Sequence, residues 1–460
     1  MKKILSSIIF IIIFICLYDF IAQKIVSKAG GTNFNQFYHQ KQNVDILFIG
    51  PSAIHNLFSP MYIWNKYGII SYNRGTQAQS YILSYVLMEE SIKKLKPKVI
   101  VMDISVLALG KDINPNINNA IMNNIDSIYY RIKVCKLMKC NINDLNIYML
   151  YHTRIKNLNK NDFTEDEYFK GQNNVISLFS KKQNYMPNKN KIELSDSTKE
   201  YTDKIDELGK KYNIEIFFIC NPTASERNIY YKEFEKYAYE KKLNYINYNN
   251  LLNELDIDYA KDFHDKYHLN YPSGIKVLDH LMVNILKKIK IENKKNKIEY
   301  RELDIDYEKY SAFINKELIR QIYTLHEWKK YVKNNNYIII TSTKYGVIRH
   351  IPKEVVEFFY DYKLEKYLTN KVNQKYIAIF NDKNIFYENI SDTSIKYSGR
   401  LDNKVNLYVE SSEGKTSIKI SGKEISLNKY GVNIVVYDIG NKEIIDRLWL
   451  DPSRPNIINR

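Results

Sequence analysis

The longest run of apolar positions lies at the start of the chain. Residues 4–22 read ILSSIIFIIIFICLYDFIA, and Asp19 is the only charged residue among them. A helix needs about 20 such residues to cross the hydrocarbon core of a bilayer. The run is long for a cleavable signal peptide, and no small-residue cleavage site follows it. We therefore predict a transmembrane signal anchor over residues 1–22.

The lysines around this run do not decide its orientation. Lys2 and Lys3 precede it, whereas Lys24 and Lys28 follow it, so the positive-inside rule gives little bias. The sequence contains no second long apolar segment. The simplest topology is a single-pass protein of the cell membrane with the bulk of the chain outside the cytoplasm.

Between residues 43 and 290, short apolar runs alternate with amphipathic segments. Strands are predicted at 44–49, 70–73, 99–104, 214–219 and 245–248, and helices at 77–95, 195–212, 226–242 and 273–289. Nearly continuous apolar strands are typical of sheets buried on both faces. The alternation predicts an α/β domain with a doubly wound parallel sheet. An Asn-rich stretch at 112–190 interrupts it and is predicted to be a helical insertion.

The remainder of the chain has a different pattern. Residues 291–302 are strongly charged and lack a core pattern, which predicts a linker. Residues 303–460 contain two helical patterns followed by several β-rich runs with glycines at the turns. This order predicts a second domain of the α+β class.

Composition narrows the set of partners. The formal net charge is +16, from 68 Lys and Arg against 52 Asp and Glu. Such a surplus is able to attract anionic lipids or acidic wall polymers. The alternative is compositional drift, since Lys, Ile, Asn and Tyr are in excess along the whole chain, as an AT-rich genome would produce. No arginine-rich stripe or nucleic-acid motif is present, so no nucleic-acid partner is predicted. The four cysteines do not form a zinc motif or a disulfide framework, although Cys135 and Cys140 are close enough in sequence to pair. No metal and no organic cofactor are predicted.

Three short polar blocks follow predicted strands or precede the last helix of the α/β domain. They are Ser52 after the first strand, Asn73-Arg74-Gly75 after the second, and Asp265 with His268 before the helix. Ligands of open parallel sheets bind at the carboxyl ends of the strands. A serine hydroxyl, a histidine base and an aspartate that orients the histidine form a nucleophilic site. Singly, the three blocks are more typical of a helix cap, a turn and a polar surface.

Together the stretches FIGPSAIH, NRG and DKYHLN resemble the SGNH (GDSL-type) hydrolase family over residues 43–290. The nearest branch is the membrane-anchored group of DltD-like and alginate-acetylation proteins. The resemblance implies Ser52 as nucleophile, His268 as base and Asp265 as its orienting partner. It also implies that Gly75, with Asn73 beside it and the N–H of Ser52, binds the oxyanion or the substrate. His264 is the alternate base.

This chain departs from the family pattern at two places. Pro51 stands before the serine, which removes one N–H but leaves that of Ser52. The third strand ends at Asp103, where the family has an oxyanion-hole asparagine, and Asn221 follows a different strand. Loss of one such donor costs about 2.7–4 kcal/mol of transition-state stabilisation. His55 and Arg74 are further candidates for substrate contact, and His152 and Arg154 for a lid.

The C-terminal region resembles another family over residues 325–451. The stretches NNYIIITSTKYG, LNKYGVNIVVYD and EIIDRLWLD are similar, in a permuted order, to the interleukin-like EMT inducer domain. That resemblance implies carbohydrate binding, and the alternative is a spacer domain.

The predicted function is an extracytoplasmic serine acyl-esterase or O-acyltransferase that acts on a cell-surface polysaccharide or wall polymer. Two alternatives stay open at this point. The first is a catalytically inactive glycan-binding or assembly protein, and the second is an accessory subunit of a multi-pass membrane O-acyltransferase.

Overall fold

A computed structural model describes most of the chain, and the chain divides into two compact units. The described residues are 2–26, 34–105, 115–158, 169–172, 177, 180, 182–184, 193–225, 228–333, 336–344, 353–368, 374–454 and 457–460. The units are Met1–Tyr310 and Ser311–Arg460. The predicted linker is 291–302, and the division between the two units falls within a helix, Arg301–Gln321.

The first unit alternates helices and strands along most of its length. Its helices are α1 (Lys2–Ile25), α2 (Phe34–His39), α3 (Ser52–Leu57), α4 (Pro60–Tyr67), α5 (Tyr81–Leu95), α6 (Pro115–Asn123), α7 (Ile128–Met138), α8 (Ile147–Tyr151), α9 (Asp196–Tyr212), α10 (Asn228–Lys241), α11 (Tyr271–Lys288) and the start of α12 (Arg301–Gln321). Its strands are β1 (Ile46–Ile49), β2 (Ser71–Asn73), β3 (Val99–Asp103), β4 (Glu215–Cys220) and β5 (Asn244–Asn247).

These strands form one parallel sheet of order β2-β1-β3-β4-β5. This is the order of flavodoxin-like doubly wound folds. Every residue of the three central strands β1, β3 and β4 is buried except Glu215, as expected for strands covered by helices on both faces. The predicted α/β class and parallel sheet are therefore confirmed.

Local capping explains where the helices around the site begin. The side chains of Ser59 and Ser80 accept hydrogen bonds from the first turns of α4 and α5. Asn270 does the same for α11 through the N–H of Ser273 at 3.1 Å. Caps of this kind satisfy backbone donors that have no partner within the helix. They also fix the direction of the loops that precede each helix.

The first apolar run of the chain forms the helix α1. Its described large apolar side chains are exposed from Ile4 to Ile21, and Phe10 is 68% exposed. At its end, Ala22, Ile25 and the adjoining Val26 are buried. Within the described part of the chain, none of the helices combines the length and the apolar character that a membrane crossing requires. The anchor over residues 1–22 stays a prediction.

The described part of the predicted insertion is helical. It contains α6, α7 and α8 and two 3₁₀ turns, Ile142–Leu145 and His152–Asn157. The segments 112–114, 159–168, 173–176, 178–179, 181 and 185–190 of the predicted insertion lie outside the described residues. A disulfide joins Cys135 to Cys140, the pairing that the sequence left open. Cys220 is a buried free thiol.

A buried arginine ties α2 to the sheet. The guanidinium of Arg74 lies 3.7 Å from the ring centroids of both Phe34 and Phe37. It donates to Glu90 on α5 at 2.9 Å, and both charged side chains are almost fully buried. Tyr38 also donates to Glu90, at 2.9 Å. Arg74 is therefore a structural residue, and its predicted contact with substrate is wrong.

Replacing Arg74 with methionine should destabilise the first unit by about 3–5 kcal/mol, because Glu90 is left as an uncompensated buried charge. Hydrogen-exchange protection of the β1 and β2 amides would measure the loss. The double variant Arg74→Met/Glu90→Gln is the matched control, because it removes both charges. We expect it to recover part of the loss, and equal losses in the two variants would contradict the ion-pair account.

The second unit combines the end of α12 with three short helices and two antiparallel sheets. The helices are α13 (Leu325–Val332), α14 (Lys353–Asp361) and α15 (Glu365–Leu368). The strands are β6 (Tyr337–Lys344), β7 (Lys375–Phe380), β8 (Ile385–Ser391), β9 (Ile395–Arg400), β10 (Asn406–Ser411), β11 (Thr416–Ile420), β12 (Lys423–Glu424), β13 (Gly431–Asp438), β14 (Glu443–Leu450) and β15 (Ile458–Asn459). The sheet orders are β15-β14-β13-β6-β7-β8 and β12-β11-β10-β9.

Apolar side chains of both sheets form one shared core in the second unit, with Ile340, Ile377, Val409 and Val435 among its fully buried members. Asp446 on β14 is buried and accepts hydrogen bonds from the indole of Trp328 and the guanidinium of Arg460. These contacts connect α13 and the end of the chain to the larger sheet. The unit contains both helices and antiparallel strands, which is the mixture predicted for this region.

Candidate active site

A tight turn after β1 places Ser52 at the carboxyl edge of the sheet. Gly50 has a φ of +153°, and a Cβ at this position would lie 2.8 Å from Cβ of Asp103 on β3. Only glycine allows the chain to pass so close to the neighbouring strand. Pro51 follows in extended backbone, and Ser52 is the first residue of α3. The hydroxyl is therefore held just beyond the strand end.

A second tight loop, between β5 and α11, carries the acid and the base. Phe263 and Leu269 form an antiparallel bridge, and the N–H of His264 donates to the carbonyl of His268 at 2.8 Å. The carboxylate of Asp265 accepts from the N–H groups of Tyr267 at 2.7 Å and of His268 at 2.9 Å. The loop thereby folds His268 back over Asp265.

These two loops bring the three predicted catalytic side chains together. Oγ of Ser52 lies 2.6 Å from Nε2 of His268. Nδ1 of His268 lies 3.0 Å from each carboxylate oxygen of Asp265. With the imidazole proton donated from Nδ1 to Asp265, the serine hydroxyl donates to Nε2. The arrangement has the connectivity of a Ser-His-Asp triad.

The electrostatics of the loop keep Asp265 ionised. Burial raises the pKa of this carboxyl, but the hydrogen bond and charge of His268 and the two backbone N–H donors outweigh burial and lower it to about 2. A carboxylate at this position fixes the imidazole tautomer and stabilises the imidazolium that forms when the histidine accepts a proton.

The two predicted oxyanion residues are engaged elsewhere. The N–H of Gly75 donates to Oδ1 of Asn73 at 2.9 Å. The amide nitrogen of Asn73 donates to the carbonyls of Ile54 and Phe58 at 2.7 and 2.8 Å. Asn73 therefore connects the end of β2 to α3, and the role of Asn73 and Gly75 in an oxyanion or substrate site stays a prediction. The N–H of Ser52, at the start of α3, remains as a donor.

Asp103 and Asn221 form a pair for which the sequence predicts no role. Both are buried at the carboxyl edge of the sheet, and the amide nitrogen of Asn221 donates to Asp103 at 2.6 Å. The amide oxygen of Asn221 has no hydrogen-bond partner among the described residues. A polar residue at the end of one strand, Asp103, and another directly after the adjacent strand, Asn221, are the signal that could have linked them. Asn221 lines the same pocket as Ser52 and His268.

Burial raises the pKa of Asp103 to about 6, against hydrogen bonds from Ser105 and Asn221 that lower it. Folding thus favours the protonated form. The contribution of Asp103 to the unfolding free energy is complete below 3.8, the pKa of this carboxyl in the unfolded chain, and is lost as the pH rises to about 6. Relative to Asp103→Asn, the wild type should lose about 3 kcal/mol of unfolding free energy over that range. Urea unfolding of both proteins across this pH range, monitored by the hydrogen-exchange protection of the β3 amides, would measure the difference. Unfolding free energies that change with pH in parallel in the two proteins would contradict it.

The triad opens into a pocket of about 210 Å³. Ala53 and Ala78 form part of its wall beside Ser52, and Tyr231 and Tyr267 supply aromatic surface. Ser52 and His268 are half-buried rather than sealed. The hydroxyl is therefore accessible to a small acyl group and partly shielded from water.

The other predicted candidates lie in different surroundings. His264, the alternate base, interacts through Nδ1 with the hydroxyl of Ser177 at 2.8 Å. His55 is fully buried in α3, where burial lowers its pKa to about 4. Arg154 donates to the carbonyls of Ile25 and Val26 at the end of α1. His152 is exposed and contacts only its own helix end through Met149 in the described part of the chain. Neither Arg154 nor His152 lines the Ser52 pocket.

No protein-family model and no curated protein matches the sequence. Solved structures similar to part of the chain include two from Bacteroides species. One is a protein from Bacteroides fragilis described as an acylhydrolase, with a TM-score of 0.30, 13% identity, and coverage of 56% of this chain and 95% of its own. The other is a GDSL-like lipase from Bacteroides thetaiotaomicron, with a TM-score of 0.30, 13% identity, and coverage of 56% and 98%. A likeness at this score does not bear on activity.

Proposed function

We propose that the protein is a serine acyl-esterase or O-acyltransferase of the SGNH type, anchored in the membrane and acting on a cell-surface polysaccharide or wall polymer. The observation that carries the enzymatic part is the hydrogen-bonded series Ser52–His268–Asp265 at the mouth of a small pocket. A nucleophile, a base in contact with it and an acid that orients the base are the parts that acyl transfer needs.

The proposed reaction has two steps. Oγ of Ser52 attacks the ester carbonyl carbon while Nε2 of His268 accepts the hydroxyl proton. The N–H of Ser52 donates to the developing oxyanion. The tetrahedral intermediate collapses, the C–O bond of the ester breaks, and His268 protonates the departing alcohol. Water or a sugar hydroxyl then gives its proton to His268 and attacks the acyl carbon. The bond between that carbon and Oγ of Ser52 breaks as His268 returns the proton to Oγ, which restores the serine.

The location and the substrate class rest on separate observations. The exposed apolar side chains of α1 support an anchor, and the Cys135–Cys140 disulfide is typical of an oxidising compartment outside the cytoplasm. The net charge of +16 favours an acidic wall polymer. The resemblance of the C-terminal region to a carbohydrate-binding module supports a glycan substrate.

Labelling with a fluorophosphonate, which reacts with activated serines, tests the enzymatic proposal. We expect the wild type to be labelled and His268→Ala to lose labelling, because the serine is no longer activated. His264→Ala is the matched control, since this neighbouring histidine contacts Ser177 instead, and it should label normally. An unlabelled wild type would support the alternative of a catalytically inactive glycan-binding protein.

A further inference from the structure

The helical insertion exposes an unusual amount of apolar surface. We call residues 128–158 the insertion surface; they comprise α7, α8 and the two 3₁₀ turns beside α8. The most exposed large apolar side chains of this segment are Ile128, Tyr129, Ile132, Ile142, Met149 and Ile155. Ile142 reaches 77% exposure. Clusters of exposed apolar residues mark interaction sites on folded proteins.

Helix α7 shows that these residues do not form the domain core. Tyr130, Val134 and Cys135 on α7 are buried in a core cluster with α5 and α6. On the same helix, Tyr129 is 58% exposed and Ile132 is 50% exposed. A surface helix ordinarily turns polar side chains to water on the face opposite its core face. Helix α7 therefore has an apolar surface beyond the one that packs on the domain.

The insertion surface is attached to the end of α1. Ile147 of α8 is buried against Ala22 and Ile25. The rings of Tyr18 on α1 and Tyr148 on α8 stack with their centroids 5.5 Å apart. The guanidinium of Arg154 donates to the carbonyls of Ile25 at 2.9 Å and of Val26 at 2.5 Å. The part of the insertion surface around α8 is thus attached to the end of α1.

The charges of the insertion surface fit anionic lipid headgroups. Residues 128–158 contain the basic residues Arg131, Lys133, Lys136, Lys139, Arg154 and Lys156 and the single acidic residue Asp144. Lys133 pairs with Glu89, and Arg154 binds α1. Lys136, Lys139 and Lys156 are exposed to solvent. Each basic residue near an anionic leaflet contributes about 1 kcal/mol of attraction.

We propose that the insertion surface lies in the interface of the lipid leaflet from which α1 emerges, with its apolar side chains at the boundary between headgroups and acyl chains. Interfacial elements have this combination of exposed apolar and basic residues, and Tyr129 and Tyr148 are of the type enriched at that depth. The proposal rests on the anchoring part of the proposed function and is independent of the catalytic part.

Lipid-quenched fluorescence of the full chain tests this placement. In the test variant, I142C is introduced in a C16S background, and the new cysteine is labelled with an environment-sensitive nitrobenzoxadiazole probe. Y239C is the matched control, because Tyr239 is 86% exposed on α10, outside the insertion surface. Both proteins are reconstituted in phosphatidylcholine vesicles with or without phosphatidylglycerol, and flotation scores anchoring separately. We expect brominated lipids to quench the probe at 142 severalfold more than at 239, and K136E/K139E to remove the added quenching caused by phosphatidylglycerol.

The outcomes of this experiment distinguish the interfacial placement of the insertion surface from the anchoring of α1 in the membrane. Equal quenching at 142 and 239 in protein that floats would overturn the interfacial placement and leave the anchor intact. Failure to float in either lipid would overturn both. Protection of position 142 in native membranes but not in pure lipid vesicles would assign the surface to a protein partner and also overturn the lipid proposal.

Discussion

Ser52→Ala should lower kcat/KM for an ester substrate by roughly six orders of magnitude and abolish fluorophosphonate labelling. Alanine removes the only atom that can form the acyl-enzyme bond while the turn at Gly50 and the start of α3 remain. Oγ of Ser52 makes the 2.6 Å contact with His268, so its loss also leaves the base without the proton that it must accept. Hydrolysis of a chromogenic short-chain ester, in parallel with labelling, measures the effect.

Ser177→Ala is the matched control for this experiment. Ser177 also has a hydroxyl within hydrogen-bond distance of a histidine, 2.8 Å from Nδ1 of His264. Only the Ser52 pair is oriented by an aspartate in the described part of the chain. We expect Ser177→Ala to retain wild-type turnover and labelling. Full activity in Ser52→Ala together with loss in Ser177→Ala would move the nucleophile to the second pair.

Asp265→Asn should lower kcat by about 10⁴ with little change in the fold. The Asn oxygen can still accept from the N–H groups of Tyr267 and His268, which keeps the loop in place. Its amide nitrogen, however, donates toward Nδ1 of His268 and favours the tautomer that carries the proton on Nε2. That tautomer cannot accept the hydroxyl proton of Ser52. The measurement is kcat against KM for the same ester.

Asp256→Asn serves as the control for Asp265→Asn. Asp256 is an exposed carboxylate, paired with Lys276 at 3.5 Å, at the other end of the same loop region. Its replacement should leave kcat and KM unchanged. If Asp265→Asn raised KM alone, Asp265 would bind substrate rather than orient the histidine, and the triad mechanism would be contradicted.

The α/β sheet could be predicted because its strands carry their own signal. Runs such as VDILFI and IEIFFI are apolar at every position but one, and each is followed by a loop. The order β2-β1-β3-β4-β5 could not be predicted, since it depends on which buried surfaces pair in three dimensions. Helix α12 was not predicted in residues 301–321. Only a few of its positions, including Leu303 and Tyr310, are buried, and its charges obscure the helical period.

The proximity of Ser52, Asp265 and His268 could be predicted from the strands, because the carboxyl ends of parallel strands share an edge. The sequence did not show the local hydrogen bonds of Asn73 and Gly75, whose role at an oxyanion or substrate site stays a prediction. The side-chain nitrogen of Asn73 donates to a backbone carbonyl of α3, and its side-chain oxygen accepts from the N–H of Gly75. The sequence likewise did not show that Arg74 is enclosed by two phenylalanine rings from residues far before it in the chain.

The separation of 216 residues between Ser52 and His268 has a consequence for biogenesis. Ser52 is synthesised early, but His268 follows all five strands of the sheet. Contacts of such long range form late in folding, because the chain between them must be ordered first. In the proposed mechanism, Ser52 is therefore not activated until the loop before α11 has appeared and docked. Reactivity of Ser52 would therefore report completion of the sheet in a refolding experiment.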